Sequence, residues 1–307
     1  MNDFNRVAFI GTGIMGGPMA GHLLKAGYAL RVHNRTREKA RLLLEQGAVW
    51  CESPALAARD AAVVFTMVAF PRDVESVILG PQGVLSTAQP GSIIVDMTTS
   101  EPDLARRVHE AARAKNVGSL DAPVTGGDVG AREATLSIMV GGDRADFERV
   151  LPLLEVLGKT VRHLGPPGAG QHCKLVHQIL LAGIMTGMAE ALLYARQAGL
   201  DLPAVLAVVG NGAAGSPVFK ALGPRVLAGD WEPGFIIEHY LKDMDIALRQ
   251  AAGFGLDLAG LALARRLYDK AARAGYARKG TQALCKVVAQ KTGSVCSGAE
   301  RRIGTSE

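Results

Sequence analysis

The tightest constraint on the fold lies within the first sixteen residues. Arg6–Ile10 (RVAFI) is a short apolar run, and Gly11-Thr-Gly13-Ile-Met-Gly16 follows it directly. Residues 18–26 then have a helical pattern that closes at Gly27. A strand that runs through G-x-G-x-x-G into a helix is the first βα unit of a dinucleotide-binding fold. The three glycines do different things. Gly11 makes the tight turn, Gly13 lets backbone approach a pyrophosphate, and Gly16 lets helix and strand pack closely. The helix N-terminus adds amide donors and partial positive charge for the phosphates. Thr12, Ile14 and Met15 complete the loop and join it as cofactor contacts.

The pattern continues along the chain. Residues 28–33, 62–68, 92–97, 119–123 and 136–140 read as strands, with helical segments at 36–46 and 102–115. Such alternation implies βαβ units and a parallel sheet. After about residue 165 the strands stop. Residues 165–170 form a glycine-rich loop, and 171–199 is nearly continuously helical, about 40 Å if unbroken. The expected architecture is α/β. An N-terminal Rossmann-type doubly wound parallel sheet occupies 1–165, and a C-terminal all-α domain for substrate binding and oligomerisation occupies 166–307. One small domain cannot bury so long an apolar helix, which predicts a homodimer or homotetramer formed through the helical domain.

Composition removes other readings. Hydrophobic residues make up 48% and charged residues 21%, which excludes wholesale disorder. Glycine is abundant, 37 of 307 residues, without a collagen period. A net charge of +5 admits acidic or phosphorylated ligands. The basic stretch 265–291 carries eight Lys/Arg against Asp269 alone; it reads as a solvated helical face, and no nucleic-acid partner is expected. Cys51, Cys173, Cys285 and Cys296 have neither C-x-x-C nor metal spacing. His172 and His177 are five apart, on different sides of a helix, so no metal site is expected. Reduced thiols in a cytoplasmic protein are the simpler account. Residues 179–195 contain Thr186, Glu190 and Tyr194 and fall short of a membrane span.

The end of the second strand bears on cofactor choice. A fold that binds NAD places Asp or Glu there for the ribose 2′-hydroxyl. This chain reads His33-Asn34-Arg35-Thr36-Arg37, with no acid before Glu38. Arginine suits a 2′-phosphate through paired hydrogen bonds and charge. NADP(H) is therefore the expected cofactor, with NAD(H) possible. Arg35 is its main reader, Asn34 and Thr36 assist, and Thr36 also stands where a helix cap would.

Residues 9–23, Phe9-Ile-Gly-Thr-Gly-Ile-Met-Gly-Gly-Pro-Met-Ala-Gly-His-Leu23, are more specific than a Rossmann loop. They resemble the N-terminal signature of the β-hydroxyacid dehydrogenases, the family of 3-hydroxyisobutyrate dehydrogenase and tartronate semialdehyde reductase. Thr12 stands where that family usually has Leu. Further blocks match in order: Asp96-Met-Thr-Thr-Ser100, Asp121-Ala-Pro-Val-Thr-Gly-Gly127, Gly168-Ala-Gly-Gln-His-Cys-Lys174 and Lys242-Asp243. The resemblance spans nearly the whole chain. It implies that Thr99, and Met67 and Val68 at another strand end, lie beside the cofactor. Ser100 is alternatively a cap for the helix after Glu101-Pro102. Thr125, Gly126 and Gly127 are expected to hold a substrate carboxylate; the consecutive glycines let backbone amides converge on an anion.

The same resemblance makes Lys174 the general acid/base. Moving a hydride between alcohol and carbonyl requires a proton to leave or reach the same oxygen, and one group can serve both directions. A free lysine, with a pKa of about 10.4, is a poor base at neutral pH until burial or a neighbouring cation lowers it. His177 and Gln178 lie three and four residues on and share that helical face. His177 replaces the family's Asn, and a histidine can titrate near neutrality. Both are expected to touch substrate. Lys242 reaches the nicotinamide ribose by resemblance, and Asp243 orients that region. Asn211 and Gly215-Ser216 match a polar stretch near the substrate. The implied activity is hydride transfer between NADP(H) and a short 3-hydroxy carboxylic acid or its semialdehyde. Glyoxylate, succinic semialdehyde and tartronate semialdehyde reduction are alternatives on the same scaffold. A reading from another class, a non-catalytic dinucleotide-binding scaffold, is disfavoured because Lys174 is retained.

Overall fold

The computed structural model describes residues 5–290. Nine strands form one sheet: β1 (Arg6–Ile10), β2 (Ala29–His33), β3 (Val49–Trp50), β4 (Val63–Thr66), β5 (Ile93–Asp96), β6 (Gly118–Asp121), β7 (Val124–Thr125), β8 (Leu136–Gly142) and β9 (Gly158–Gly165). The order β3-β2-β1-β4-β5-β6 is parallel throughout. Crossover segments include α1 (Gly16–Lys25), α2 (Arg41–Glu45), α3 (Pro54–Ala58), α4 (Pro71–Leu79) and α5 (Pro102–Arg113). The short α6 (Gly127–Arg132) joins β7 to β8, and α7 (Arg144–Glu155) joins β8 to β9.

The strands are buried on both faces, and their alternation sorts the core into two layers. On β1, Val7 and Phe9 pack in one layer with Met19, Leu23, Val63, Phe65 and Leu153. Ala8 and Ile10 pack in the other with Val64, Val74, Ile78, Leu104 and Val108. This is the doubly wound arrangement expected.

Several details differ from the sequence expectation. The sheet is not wholly parallel, because β8 runs antiparallel to both β6 and β7. The expected strand 119–123 ends at Asp121, and Pro123 separates it from β7. The expected helix 36–46 is a 3-10 turn, Arg37–Ala40, followed by five α-helical residues. Three strands lie outside the sequence expectation. β3 and β7 have two residues each. β9 pairs only with β8 and carries exposed Lys159, Thr160 and Arg162, so its polar outer side masks the alternation.

Helix α8 (Ala169–Gln197) is unbroken over 29 residues. It is followed by α9 (Leu202–Asn211), α10 (Pro217–Leu227), α11 (Ile237–Gly253), α12 (Ala259–Ala271) and α13 (Leu284–Gln290). Compactness divides the chain between Val176 and His177, inside α8. In the helical unit Tyr240 and Tyr268 meet edge to face, with centroids 5.0 Å apart. Their hydroxyls donate to the carbonyls of Gln178 (3.0 Å) and Thr281 (3.1 Å). The basic stretch is largely paired within this unit: Arg265 with Asp245, Arg273 with Asp269, Arg278 with Glu238 and Lys279 with Glu232. Lys291 and Cys296 lie outside the described residues.

The expectation that no segment reaches membrane-spanning length is corrected by α8. By length and composition it passes, with a mean hydropathy of 1.4 over its most apolar window. One side of the same helix is buried, carrying Gln171, Lys174 and Gln178 with Ala182, Met185, Met188 and Leu192.

Candidate active site

The glycine loop behaves as its spacing suggests. Gly11 has φ +95°, and a Cβ there would lie 2.1 Å from the Met67 carbonyl oxygen. At Gly16 a Cβ would lie 1.9 Å from the Gly11 oxygen. Both positions are closed to any side chain by neighbouring backbone. At Gly13 a Cβ would meet nothing within 4 Å. Internal packing therefore does not explain Gly13, whereas a ligand seated against the loop does. The exposed Ile14 and half-buried Met15 lead into α1, whose first turn carries no acid. The loop fits a dinucleotide pyrophosphate. Thr12 is buried, and its hydroxyl oxygen has no hydrogen-bond partner.

The end of β2 is tied to this loop. Asn34 Oδ1 accepts from the Thr12 amide (3.2 Å), and its Nδ2 donates to the Thr36 carbonyl (2.8 Å). Asn34 thus braces the backbone. Thr36 occupies the cap position of the 3-10 turn, but its hydroxyl makes no capping bond, which corrects that expectation. Arg37 lies over the Trp50 ring at 5.5 Å and 4.0 Å from Glu52. Arg35 is exposed.

Beyond β4 and β5 two loops meet. The Val68 amide donates to Thr98 Oγ1 (3.0 Å). Buried Asp96 accepts from Thr66 Oγ1 (2.7 Å) and from the Thr98 amide (3.1 Å). Met67, Val68 and Thr99 are partly exposed at these strand ends, where open α/β sheets bind ligands. Ser100 is not the cap of α5. The cap position is Glu101, and the Ser100 hydroxyl is buried without a partner.

Thr125 ends β7, paired with Ser137 of β8. Gly126 (φ +127°) and Gly127 (φ +63°) follow, both exposed, in conformations that favour glycine. A Cβ on Gly127 would meet open space. Thr125 and the two glycines thus lie together on one partly exposed turn.

Lys174 is buried on the second turn of α8, at 7% exposure. The carboxylate of Asp121, at the end of β6, holds the start of this helix. Its Oδ1 accepts from the Gly168 amide and its Oδ2 from the Gln171 amide, both at 2.8 Å. Gln171 is fully buried; its side chain donates to the Thr98 carbonyl and accepts from the Ser100 amide, both at 2.8 Å. Burial pushes the Asp121 carboxyl up to about 6, against the pull of these backbone donors, and the nearby Asp96 charge adds to the rise.

In the helical unit a polar chain runs through Gln178. Asp243 can only accept, so the Gln178 Nε2 faces it and donates to Oδ2. Gln178 Oε1 therefore faces His177, whose Nδ1 carries the proton and donates at 2.8 Å. Lys242 Nζ lies 3.0 Å from Asp243 Oδ1, without a well-directed hydrogen bond. Gln178 and Asp243 are each 1% exposed. The Gln178 side chain thus links His177 to Asp243, while Asp243 Oδ1 is buried without a hydrogen-bond partner. His239 lies one turn before Lys242, and burial followed by the Lys242 charge holds its ring pKa down. Sequence reasoning does not single it out, although the H-x-x-K-D spacing places all three on one helical face. Asn211 accepts from Lys220 Nζ, and Ser216 caps α10 through the Phe219 amide. Among the described residues no cluster of His, Cys, Asp or Glu could hold a metal.

Comparisons with known proteins agree with this geometry. Residues 6–165 match the family described as the NAD binding domain of 6-phosphogluconate dehydrogenase. Residues 168–288 match the family described as NAD-binding of NADP-dependent 3-hydroxyisobutyrate dehydrogenase. A probable mitochondrial 3-hydroxyisobutyrate dehydrogenase-like protein of Arabidopsis thaliana is 46% identical over 280 residues, 91% of this chain and 84% of the relative. The 2-hydroxy-3-oxopropionate reductase of Escherichia coli K12 is 38% identical, over 92% of this chain and 97% of that enzyme. The structure of Psf3 in complex with NADP+ and 2-OPP has a TM-score of 0.86 at 28% identity, covering 92% of this chain and 99% of the other. With a Rossmann loop, the ordered strand-end blocks and matches on both sides of residue 165, the chain belongs to the β-hydroxyacid dehydrogenase family of NAD(P)-dependent oxidoreductases acting on CH–OH groups.

Proposed function

We propose that this dehydrogenase uses NADP(H) in preference to NAD(H), and that Lys174 is its proton donor and acceptor. The substrate class is a short carboxylic acid with a 3-hydroxy group, or the matching semialdehyde. The observation that carries this reading is a buried lysine on a helix whose first turn is bonded to the loop after β5. When bound, the nicotinamide supplies or takes the hydride. Lys174 gives a proton to the carbonyl oxygen in reduction and removes it from the hydroxyl in oxidation. Thr125, Gly126 and Gly127 hold the carboxylate through the hydroxyl and backbone amides. Arg35 reads the 2′-phosphate, and the unengaged Thr36 hydroxyl assists. NADP+ bound to the related Psf3 supports the cofactor preference. The name of the E. coli relative supports the semialdehyde substrate class.

The test is Lys174→Met with a panel of short hydroxyacids and semialdehydes, each with both cofactors. Turnover should fall by roughly a hundredfold or more, with NADPH affinity retained. A variant that keeps wild-type kcat sinks the assignment.

The same proposal includes a homo-oligomer formed through α8. Leu180 and Tyr194 are 67% and 75% exposed on that helix. Leu180, Gly183 and Gly187 lie three and four apart and Tyr194 two turns further on, spacings that put them on one side of the helix.

A further inference from the structure

We infer that Asp121 and Gln171 are positioning residues for the proton transfer at Lys174, acting as a clamp that sets the first turn of α8 against the ends of β5 and β6. The inference rests on the reading of Lys174 as the acid/base.

The geometry is specific. Helices leave their first amides without internal partners, and a local Ser, Thr or Asp side chain ordinarily accepts from one of them. Here the acceptor comes from a strand end about fifty residues away, and both of its oxygens are used. Gly141 and Gly170 make room for this approach. A Cβ on Gly141 would lie 2.5 Å from Asp121 Oδ1 and 2.7 Å from the Gly170 amide. A Cβ on Gly170 would lie 2.4 Å from the Met139 carbonyl oxygen. The backbone of β8 and the start of α8 are thus in contact, with no slack for a side chain.

Gln171 then fixes the direction in which the helix leaves. Its side chain closes a two-point bond with the segment 98–100, accepting from one residue and donating to another. That segment carries Thr99, the residue expected beside the cofactor. Lys174 follows Gln171 by three residues, less than one helical turn. The clamp therefore ties the lysine to the cofactor-side loop through two bonds and to the sheet through two more. Neither clamp residue is open to solvent: Gln171 is 0% exposed and Asp121 5%. Neither is placed to touch substrate, so their effect must pass through the backbone they hold.

The clamp also needs its charge. Protonated, Asp121 would keep one carbonyl oxygen, and its hydroxyl would face an amide donor. One of its two bonds to α8 is then lost. The ionisable group acting on it from the neighbouring strand is Asp96, which raises its proton affinity, as does burial. On α8 itself burial and then the Arg106 charge on α5 lower the His172 pKa, against Asp103.

The experiment compares Gln171→Met, which keeps length and apolar fit, with Asp121→Asn and Lys174→Met. Melting temperature and NADPH fluorescence titration are run on each. Gln171→Met should lose roughly ten- to a hundredfold in kcat, the effect of misplacing a catalytic group by about 1 Å, with cofactor affinity within about twofold of wild type. The double variant Gln171→Met/Lys174→Met should be no slower than Lys174→Met alone, because the clamp acts only through the lysine. Wild-type kcat should also fall as pH drops through 6, a limb that Asp121→Asn lacks. Wild-type kcat in Gln171→Met overturns the inference, and so does a double variant whose losses multiply. Wild-type kcat in Lys174→Met instead overturns the reading on which the inference rests. If Asp121→Asn does not fold, Gln171→Met and the double variant decide.

Discussion

The backbone amide of Thr12 donates to the side chain of Asn34 at 3.2 Å, joining the loop after β1 to the end of β2. The second bond of Asn34, to the Thr36 carbonyl, shapes the backbone that displays Arg35.

Arg35→Ala should therefore act on one cofactor only. A charge-assisted contact to a phosphate is worth about 1.5–3 kcal/mol, roughly ten- to a hundredfold in affinity. KM for NADPH should rise by that factor while KM for NADH stays within about twofold. Equal changes for both cofactors would show that Arg35 supports the loop instead of reading the phosphate.

Asn34→Asp is a sharper probe of the same region. An aspartate still accepts from Thr12 but cannot donate to Thr36, and it brings a negative charge beside Arg35. The ratio of kcat/KM for NADPH over NADH should fall by roughly tenfold or more. A ratio unchanged from wild type would contradict the placing of the 2′-phosphate at this turn.

The glycines separate fold from ligand. Gly16→Ala drives a methyl group into the Gly11 carbonyl at 1.9 Å, and destabilisation by several kcal/mol is expected. Gly13→Ala meets no protein atom. Its melting temperature should match wild type within a few degrees, while the Kd for NADPH rises at least tenfold. A Gly13→Ala protein that binds NADPH normally would remove the pyrophosphate from this loop.

These contrasts show what a linear reading can and cannot reach. The G-x-G-x-x-G loop is legible because the demands on its three glycines are local and follow one strand into one helix. Lys174 is legible only by its family context, since a lysine at the start of an apolar helix looks like any snorkelling side chain. The Asp121–Gln171 contact is not legible. Its partners are 50 residues apart, and no periodicity links a strand end to a distant helix start. Helical spacing places Gln178 on the Lys174 face; it does not reveal that the buried Asp243 carboxylate accepts from its amide. β9 is hidden for a related reason: a half-exposed edge strand has no second packed face to leave an apolar pattern.

Asp121 also makes a thermodynamic expectation. Its folded-state pKa, about 6, lies above the ordinary value of 3.8. Between those values the folded chain binds more protons than the unfolded chain, so stability falls as pH rises through the window. At about 1.4 kcal/mol per unit the full effect is roughly 3 kcal/mol. Stability and activity should thus move in opposite directions between pH 4 and 6 at this one carboxyl. Chemical denaturation across that range should show a downward slope in wild type that is flatter in Asp121→Asn. Equal slopes would mean that Asp121 is not the group being titrated.

Helix α8 supplies the last expectation. Its buried side contributes Ala182, Met185, Met188, Ala189 and Leu192 to the core. Leu180 and Tyr194 point away, at 67% and 75% exposure, with Gly183 and Gly187 also exposed between them. An exposed leucine alone is ordinary; here Leu180 and Tyr194 bracket an exposed face that also carries Gly183, Gly187 and Glu190. The two glycines permit close approach of a second helix, and a symmetric partner presenting the same stripe would cover it. Leu180→Glu places a charge at the N-terminal end of that seam. Burying an unpaired carboxylate costs several kcal/mol, and in a two-fold interface the charge appears twice. Sedimentation velocity should show the wild type as a dimer or larger and the variant shifted towards monomer, with NADPH binding retained. A monomeric wild type, or a variant with unchanged sedimentation, would leave this stripe without the role assigned to it.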